Sequence, residues 1–143
     1  MARFSQGFRT TNTTSGQAAL ELIGGAGVKA RLVEFGITTL TQVVASVGIG
    51  YPAAIGRVPT TPVTFLGDSQ DSSVIAITSA LAWGTPPTLP NYFYRRGSIA
   101  LTQDELVWTW PEGGGIMLLP STSIVLWLFA TAPQLDGWAV FEQ

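Results

Sequence analysis

The sequence predicts an all-β protein, an antiparallel β-sandwich of jelly-roll type with eight to nine strands. Turn signals rich in Gly and Pro recur roughly every 8 to 12 residues, which is the spacing of a sandwich or barrel. The runs between them are rich in β-branched and aromatic residues, and no stretch longer than two turns has the 3.6-residue periodicity of a helix. An immunoglobulin-like sandwich is the alternative, although the Cys-Trp-Cys signature is missing.

The N-terminal residues 1–17 are polar and rich in Thr and Ser. We expect them to form an arm or an edge strand, followed by one sandwich domain over residues 18–143, because a chain of 143 residues fits a single domain. Residues 18–23 are the stretch most compatible with a helix, but they are too few for a stable one.

Residues 28–37 predict a strand whose apolar face changes sides. The apolar positions are even-numbered up to Leu32 and odd-numbered from Val33 onward. One extra residue in a paired strand reverses the alternation in this way, so we expect a β-bulge near Leu32 and Val33. Another strand is predicted over residues 42–51.

The remainder of the chain alternates strands with turns. Residues 51–73 contain three prolines and a polar run, and they predict a long connection of the kind that is often functional. The proline-rich residues 84–90 cannot lie in a central strand. Further strands are predicted over residues 63–66, 74–83, 92–101, 106–110, 116–119, 122–131 and 137–141.

The most informative strand covers residues 124–130, IVLWLFA, which are apolar on both faces. A sheet with one wet face alternates apolar and polar residues, so each face of this strand needs a cover. One cover is the domain's own core. The other face, which carries Val125, Trp127 and Phe129, needs a loop or a second subunit. We expect a subunit, because only 11% of the residues are charged, against about 25% in typical domains.

Composition excludes several kinds of chemistry. The chain has neither Cys nor His, so it cannot form a Ser-His-Asp triad, a thiol nucleophile or a histidine-ligated metal centre. The formal net charge of -2 gives no long-range attraction to nucleic acid or to an anionic membrane. Residues 116–132 are interrupted by Pro120 and are shorter than the roughly 20 apolar residues of a membrane-spanning helix. We therefore expect no enzyme, no cofactor and no metal.

Two groups of carboxylates are weak candidates for sites. Asp68 and Asp71 lie in a polar run, but they lack the spacing of a helix-loop-helix calcium loop, and Asp and Ser are ordinary turn residues. Asp104 and Glu105 are neighbours in the chain. If both lie in a strand they point to opposite faces, which does not suit a glycosidase pair.

Four other residues are candidates for an interface. Trp108 and Trp110 lie about 7 Å apart on one face of a predicted strand, so they suit either a core or interface role or, less well, a sugar-stacking ladder. Arg95 and Arg96 follow three aromatic residues, and arginine and aromatic residues are enriched at protein interfaces. As neighbours in a strand the two arginines face opposite ways, and solvated or locally paired side chains are the alternative.

The arrangement of strands and turns resembles the small β-sandwich decoration, or cement, proteins of tailed bacteriophages. The resemblance covers most of the chain from about residue 28 onward, as strands and turns and not as a diagnostic motif. The segments that carry it are residues 28–36, 47–52, 83–87, 94–96, 107–111 and 124–127.

The resemblance implies a structural virion protein on the outer surface of the capsid. Such a protein forms a homodimer or homotrimer and bridges neighbouring major capsid proteins, which stabilises the head without catalysis. Its partners are then itself and the major capsid protein, with no direct contact to nucleic acid or membrane. The alternative is a phage receptor-binding or carbohydrate-binding β-sandwich module, since fold alone does not decide function.

Overall fold

The computed structural model describes residues 2–11, 14–39, 41, 44–67, 74–90, 93–100, 104–130 and 133–143. Every regular element within these ranges is a β-strand, and none of the described residues belongs to a helix long and apolar enough to cross a membrane. The strands are β1 Arg3–Arg9, β2 Ala18–Gly24, β3 Ala30–Thr39, β4 Ala45–Gly50, β5 Arg57–Pro59, β6 Val63–Gly67, β7 Val74–Ala80, β8 Trp83–Thr85, β9 Arg95–Ile99, β10 Glu105–Thr109, β11 Ile116–Leu118, β12 Ser123–Leu128 and β13 Leu135–Glu142.

Eleven of these strands form one continuous antiparallel sheet that folds over onto itself. The front sheet has the order β10-β3-β13-β1, with β11 as an additional partner of β3, and the back sheet has the order β2-β12-β4-β9. The β6–β7 hairpin connects β1 of the front sheet to β2 of the back sheet. The predicted antiparallel β-sandwich is confirmed, with more strands than the eight to nine expected.

The strand pairing is nested along the chain. The first strand pairs with the last, β2 pairs with β12, β3 with β10, and β4 with β9. Because distant parts of the chain pair, no local signal marks which strands are neighbours. This order places the inward-facing side chains of both sheets in one core, which includes Leu20, Phe35, Ile49, Leu126 and Phe141.

The N-terminal residues are part of this sheet. All of β1 pairs with β13, and Phe4 and Ser5 pair also with β6 on the other side. Residues 3–9 therefore form a strand of the sheet, with β13 along one side and with β6 on the other side only at Phe4 and Ser5. Phe4 is 4% exposed and belongs to the core, which explains why a polar segment is held in the sheet.

The predicted bulge in β3 is confirmed. Val140 pairs with Glu34 and Phe141 pairs with Leu32, so Val33 is the additional residue opposite two consecutive residues of β13. The bulge lets Leu32 and Phe35 both reach the core, although they are three positions apart.

Part of the long connection forms a second, two-stranded sheet with residues that follow β7, and sequence analysis missed this sheet. In this ribbon, residues 54–59 run antiparallel to residues 83–88, through the pairs Arg57↔Thr85 and Pro59↔Trp83 and the bridge Ala54↔Thr88. Pro59 and Gly84 are poor strand residues by propensity, but a short ribbon at an edge accepts both.

Candidate interaction surfaces

The outer face of the back sheet is covered by the chain itself. Val125 and Trp127 are 0% and 2% exposed, and together with Ala18 they form a small apolar cluster outside the main core. Trp83 of the ribbon packs against this cluster. The loop alternative is therefore correct at Val125 and Trp127, and the expected subunit is not what covers them.

Glu21 fastens the ribbon to the back sheet. Its carboxylate is completely buried and accepts three hydrogen bonds from neutral donors. Oε1 accepts from the Gly56 backbone N–H at 2.9 Å and from Ser123 Oγ at 2.7 Å, and Oε2 accepts from Trp83 Nε1 at 2.7 Å. Buried carboxylates are tolerated only with such compensation, so Glu21 determines where the ribbon lies. Sequence analysis missed this residue, whose only signal was a lone acid in an apolar segment.

Phe129 lies beside this covered region in a cluster with Arg96. The Phe129 and Phe93 rings pack edge to face, with centroids 4.9 Å apart, over Gly48 of β4. The Arg96 guanidinium lies 4.0 Å from the centroid of the Phe129 ring, within the range of a cation–π contact. Phe129 is half-buried and Arg96 is exposed. The structure thus brings two of the predicted interface residues together within one chain.

Arg95 points away from Arg96, as the sequence predicts. Its guanidinium lies 5.6 Å from the centroid of the Trp110 ring. Trp108 is 9% exposed and stacks on Phe35 in the core, at 6.1 Å between ring centroids, whereas Trp110 is only half-buried. A sugar-stacking ladder of Trp108 and Trp110 is therefore excluded, because the Trp108 ring is enclosed by the core. Trp108 is equally unsuited to an interface.

The outer face of the front sheet is open. Trp138 of β13 is paired with Gly7 on one side and with Gly36 on the other. Its ring covers Gly36, since three ring carbons lie within 2.5 Å of the place where a Cβ would stand. Its Nε1 donates to Glu34 Oε1 at 2.6 Å. Sequence analysis singled out Trp108 and Trp110 instead of Trp138, because only the register reveals a tryptophan between two glycines.

A groove of about 510 Å³ lies on this open face. Trp138, Glu34, Gly7 and Arg3 line it, together with Ser5, Gln6 and Val140. At Gly7 the nearest atom to an added Cβ is the Gly137 carbonyl oxygen at 3.7 Å, so the space above this glycine is free of side chains. The groove thus has a glycine floor beside an aromatic ring and two oppositely charged side chains.

One exposed ion pair borders the same face. Arg9 Nε and Nη2 donate to the two carboxylate oxygens of Asp136 at 2.5 and 2.8 Å. These hydrogen bonds, with the positive charge of Arg9, lower the pKa of Asp136 below its ordinary value of 3.8 and raise the pKa of Arg9. The pair joins β1 to β13 at the position where Arg9 and Asp136 are directly opposite.

The weak carboxylate candidates gain no support. Asp68 and Asp71 lie outside the described residues. Asp104 and Glu105 are both exposed at the beginning of β10. Within the ranges that the structure describes, no group of three or more acidic side chains is arranged to hold a metal ion.

The ribbon exposes three large apolar side chains next to the exposed Arg57. Val58, Leu89 and Ile55 are 76%, 52% and 43% exposed. Val58 also has a φ of +54°, a left-handed conformation that costs energy for a β-branched residue. Ile55 and Leu89 directly follow the bridge partners Ala54 and Thr88. The ribbon therefore presents three large apolar side chains to solvent while its other side is fastened to Glu21.

Comparison with known proteins adds no relative: no family model, no curated protein and no solved structure is significantly similar to this chain.

Proposed function

We propose that this chain is a structural virion protein that binds the outside of a bacteriophage capsid as a homo-oligomer and cements neighbouring major capsid proteins. The observation that carries the proposal is the ribbon, which is fixed on one side by the buried Glu21 and exposes Val58, Leu89 and Ile55 on the other. A rigid apolar surface binds a partner at a low entropic cost, because few groups must be ordered on association.

The nested strand order also supports the proposal. When a long β-hairpin rolls up, its first strand pairs with its last, and the strands between them pair in the same nested way. The strands of this chain follow that order, from the β1–β13 pair to the β4–β9 pair. We interpret this order as the winding of a jelly roll, an architecture that occurs in viral capsid and lectin domains. The ribbon is inserted between β4 and β9, at the innermost turn of that winding.

Backbone strain at Val58 is consistent with a functional contact. A non-glycine residue at positive φ costs about 1–3 kcal/mol and is retained at binding and switch regions more often than elsewhere. Here the strain holds an exposed valine at the surface of the ribbon. Many copies on one shell multiply even a weak contact, because each copy that binds only the assembled state stabilises that state.

Capsid binding tests the proposal. Purified protein is mixed with mature capsids of the phage that encodes it, and bound protein is measured by co-sedimentation and located by electron microscopy. We expect Val58→Asp to weaken binding at least tenfold without loss of stability, since Asp tolerates the left-handed conformation better than Val. The matched control is Val107→Asp, at an exposed valine of the open front face.

Failure of the unmodified protein to bind capsids would overturn the proposal. Equal binding by Val58→Asp and Val107→Asp would remove the ribbon as the docking surface. Sedimentation of the free protein as a monomer would contradict the homo-oligomer.

A further inference from the structure

We infer that the open face of the front sheet binds an uncharged carbohydrate in the groove above Gly7, with Trp138 as the stacking surface. This inference goes beyond the proposed cementing role and concerns the sheet opposite to the one that the ribbon covers. It depends on the ring of Trp138, on the free space beside it, and on the charges around both.

The Trp138 ring is held before any ligand arrives. Gly36 provides a flat support, since any side chain there would collide with the ring. The hydrogen bond to Glu34 at 2.6 Å fixes the orientation of the indole. A ring that is already ordered loses little conformational entropy on binding, which favours association with a weakly interacting ligand.

The groove beside the ring suits a sugar in shape. Its floor at Gly7 has no side chain, and Gly7 is the direct partner of Trp138 in the neighbouring strand. A pyranose ring is an amphipathic disc whose C–H bonds pack on the negative face of an aromatic ring. The groove volume of about 510 Å³ accommodates more than one sugar ring.

Polar groups border the groove at several points. Glu34, which lines the groove, accepts the indole N–H through Oε1. The side chain of Arg3 is 54% exposed, with its Nε 3.6 Å from Glu142 Oε1, and both Arg3 and the half-buried Gln6 line the groove. Planar groups of this kind form paired hydrogen bonds with adjacent sugar hydroxyls.

The charge of the face selects against a polyanion. The outward positions of the front sheet carry three bases and four acids, namely Arg3, Arg9, Arg31, Glu34, Glu105, Asp136 and Glu142. A face without an excess of positive charge gives little counterion-release gain to a nucleic acid. An uncharged polysaccharide does not need a positively charged surface, so the charge of this face favours a neutral glycan.

Titration with neutral oligosaccharides tests the inference. The probes are cellohexaose, maltohexaose, chitohexaose and a galactose hexamer, each up to 10 mM, followed by Trp fluorescence and by the indole N–H signals in NMR spectra. We expect at least one probe to bind and to shift the Trp138 indole signal, which Trp138→Phe identifies.

Two variants locate the site. Trp138→Ala removes the stacking surface, and Gly7→Val fills the floor while leaving the indole and its hydrogen bond in place, because Gly7 has no positive φ and no side chain nearby. Each should weaken binding at least tenfold. Tyr94→Ala, at an exposed aromatic residue of the other sheet, is the matched control and should bind normally.

Absence of binding by all four probes would overturn the inference, and so would unchanged binding by both Trp138→Ala and Gly7→Val. Neither measurement uses capsids, so failure here is separate from failure of the cementing role.

Discussion

Each outer face of the sandwich carries a tryptophan whose indole N–H donates to a glutamate. On the back sheet the donor is Trp83 and the acceptor is the fully buried Glu21. On the front sheet the donor is Trp138 and the acceptor is Glu34, and both remain partly open to solvent. The same pair therefore serves two purposes: in the back it attaches one part of the chain to another, and in the front it holds an aromatic ring at the surface.

The difference arises from what lies above each pair. Over Glu21 the ribbon excludes water, so every donor and acceptor must be satisfied within the protein. Over Glu34 water can replace any hydrogen bond that is lost. The contribution of a hydrogen bond to stability is thus set by its access to solvent more than by its length, which is nearly equal in the two pairs, at 2.7 and 2.6 Å.

The largest expected effect is the difference in stability between replacing Glu21 and replacing Glu34. Glu21→Ala leaves the donors of Gly56, Trp83 and Ser123 without their acceptor, and we expect the free energy of unfolding to fall by about 3 kcal/mol or more, at about 1–3 kcal/mol per buried unsatisfied donor. Glu34→Ala is the matched control and should cost about 1 kcal/mol or less. Urea unfolding measures both, and equal losses would contradict the comparison.

A smaller effect distinguishes two tryptophans on the covered face. Within the described part of the chain, Trp127 Nε1 is buried without a hydrogen-bond partner, whereas Trp83 Nε1 binds Glu21. Trp127→Phe loses ring volume but removes an unsatisfied donor, so we expect a change within about 1 kcal/mol.

Trp83→Phe should cost more, about 1–3 kcal/mol, since it leaves the buried Oε2 of Glu21 without its donor. Urea unfolding of the two variants gives the order. If Trp127→Phe is the more destabilising, the buried ring volume of Trp127 contributes more to stability than the Trp83–Glu21 hydrogen bond.

The smallest effect concerns the exposed pair Arg9–Asp136. The pKa of Asp136 is lower in the folded protein than its ordinary value, so the pair stabilises the fold above that value and the stabilisation disappears as the pH falls through the lowered folded-state pKa. Asp136→Asn should therefore be slightly less stable than the parent at pH 7 and equal to it at about pH 2.

Thermal unfolding at the two pH values, with and without 1 M salt, measures this difference. High salt should reduce it at pH 7, because exposed ion pairs are screened. A stability difference between Asp136→Asn and the parent that is larger at acid pH than at pH 7 would contradict the expected pH dependence.

Much of the fold was predictable from local patterns. The all-β class followed from turn spacing and residue type, and the bulge at Val33 followed from the change of phase in one strand. The opposite directions of Arg95 and Arg96 followed from the geometry of a strand. The candidate surfaces were less predictable, because Glu21 and Trp138 acquire their roles from residues far away in the chain.

The sequence by itself determined that residues 124–130 need a cover on both faces, since apolar side chains alternate to both sides of a strand. Only the tertiary structure decided what that cover is. The ribbon is separated from Trp127 by many residues, and its proline-rich sequence has no strand signal, yet Glu21 attaches it to the back sheet. Long-range pairing of this kind depends on register and on buried hydrogen bonds, which local sequence does not encode.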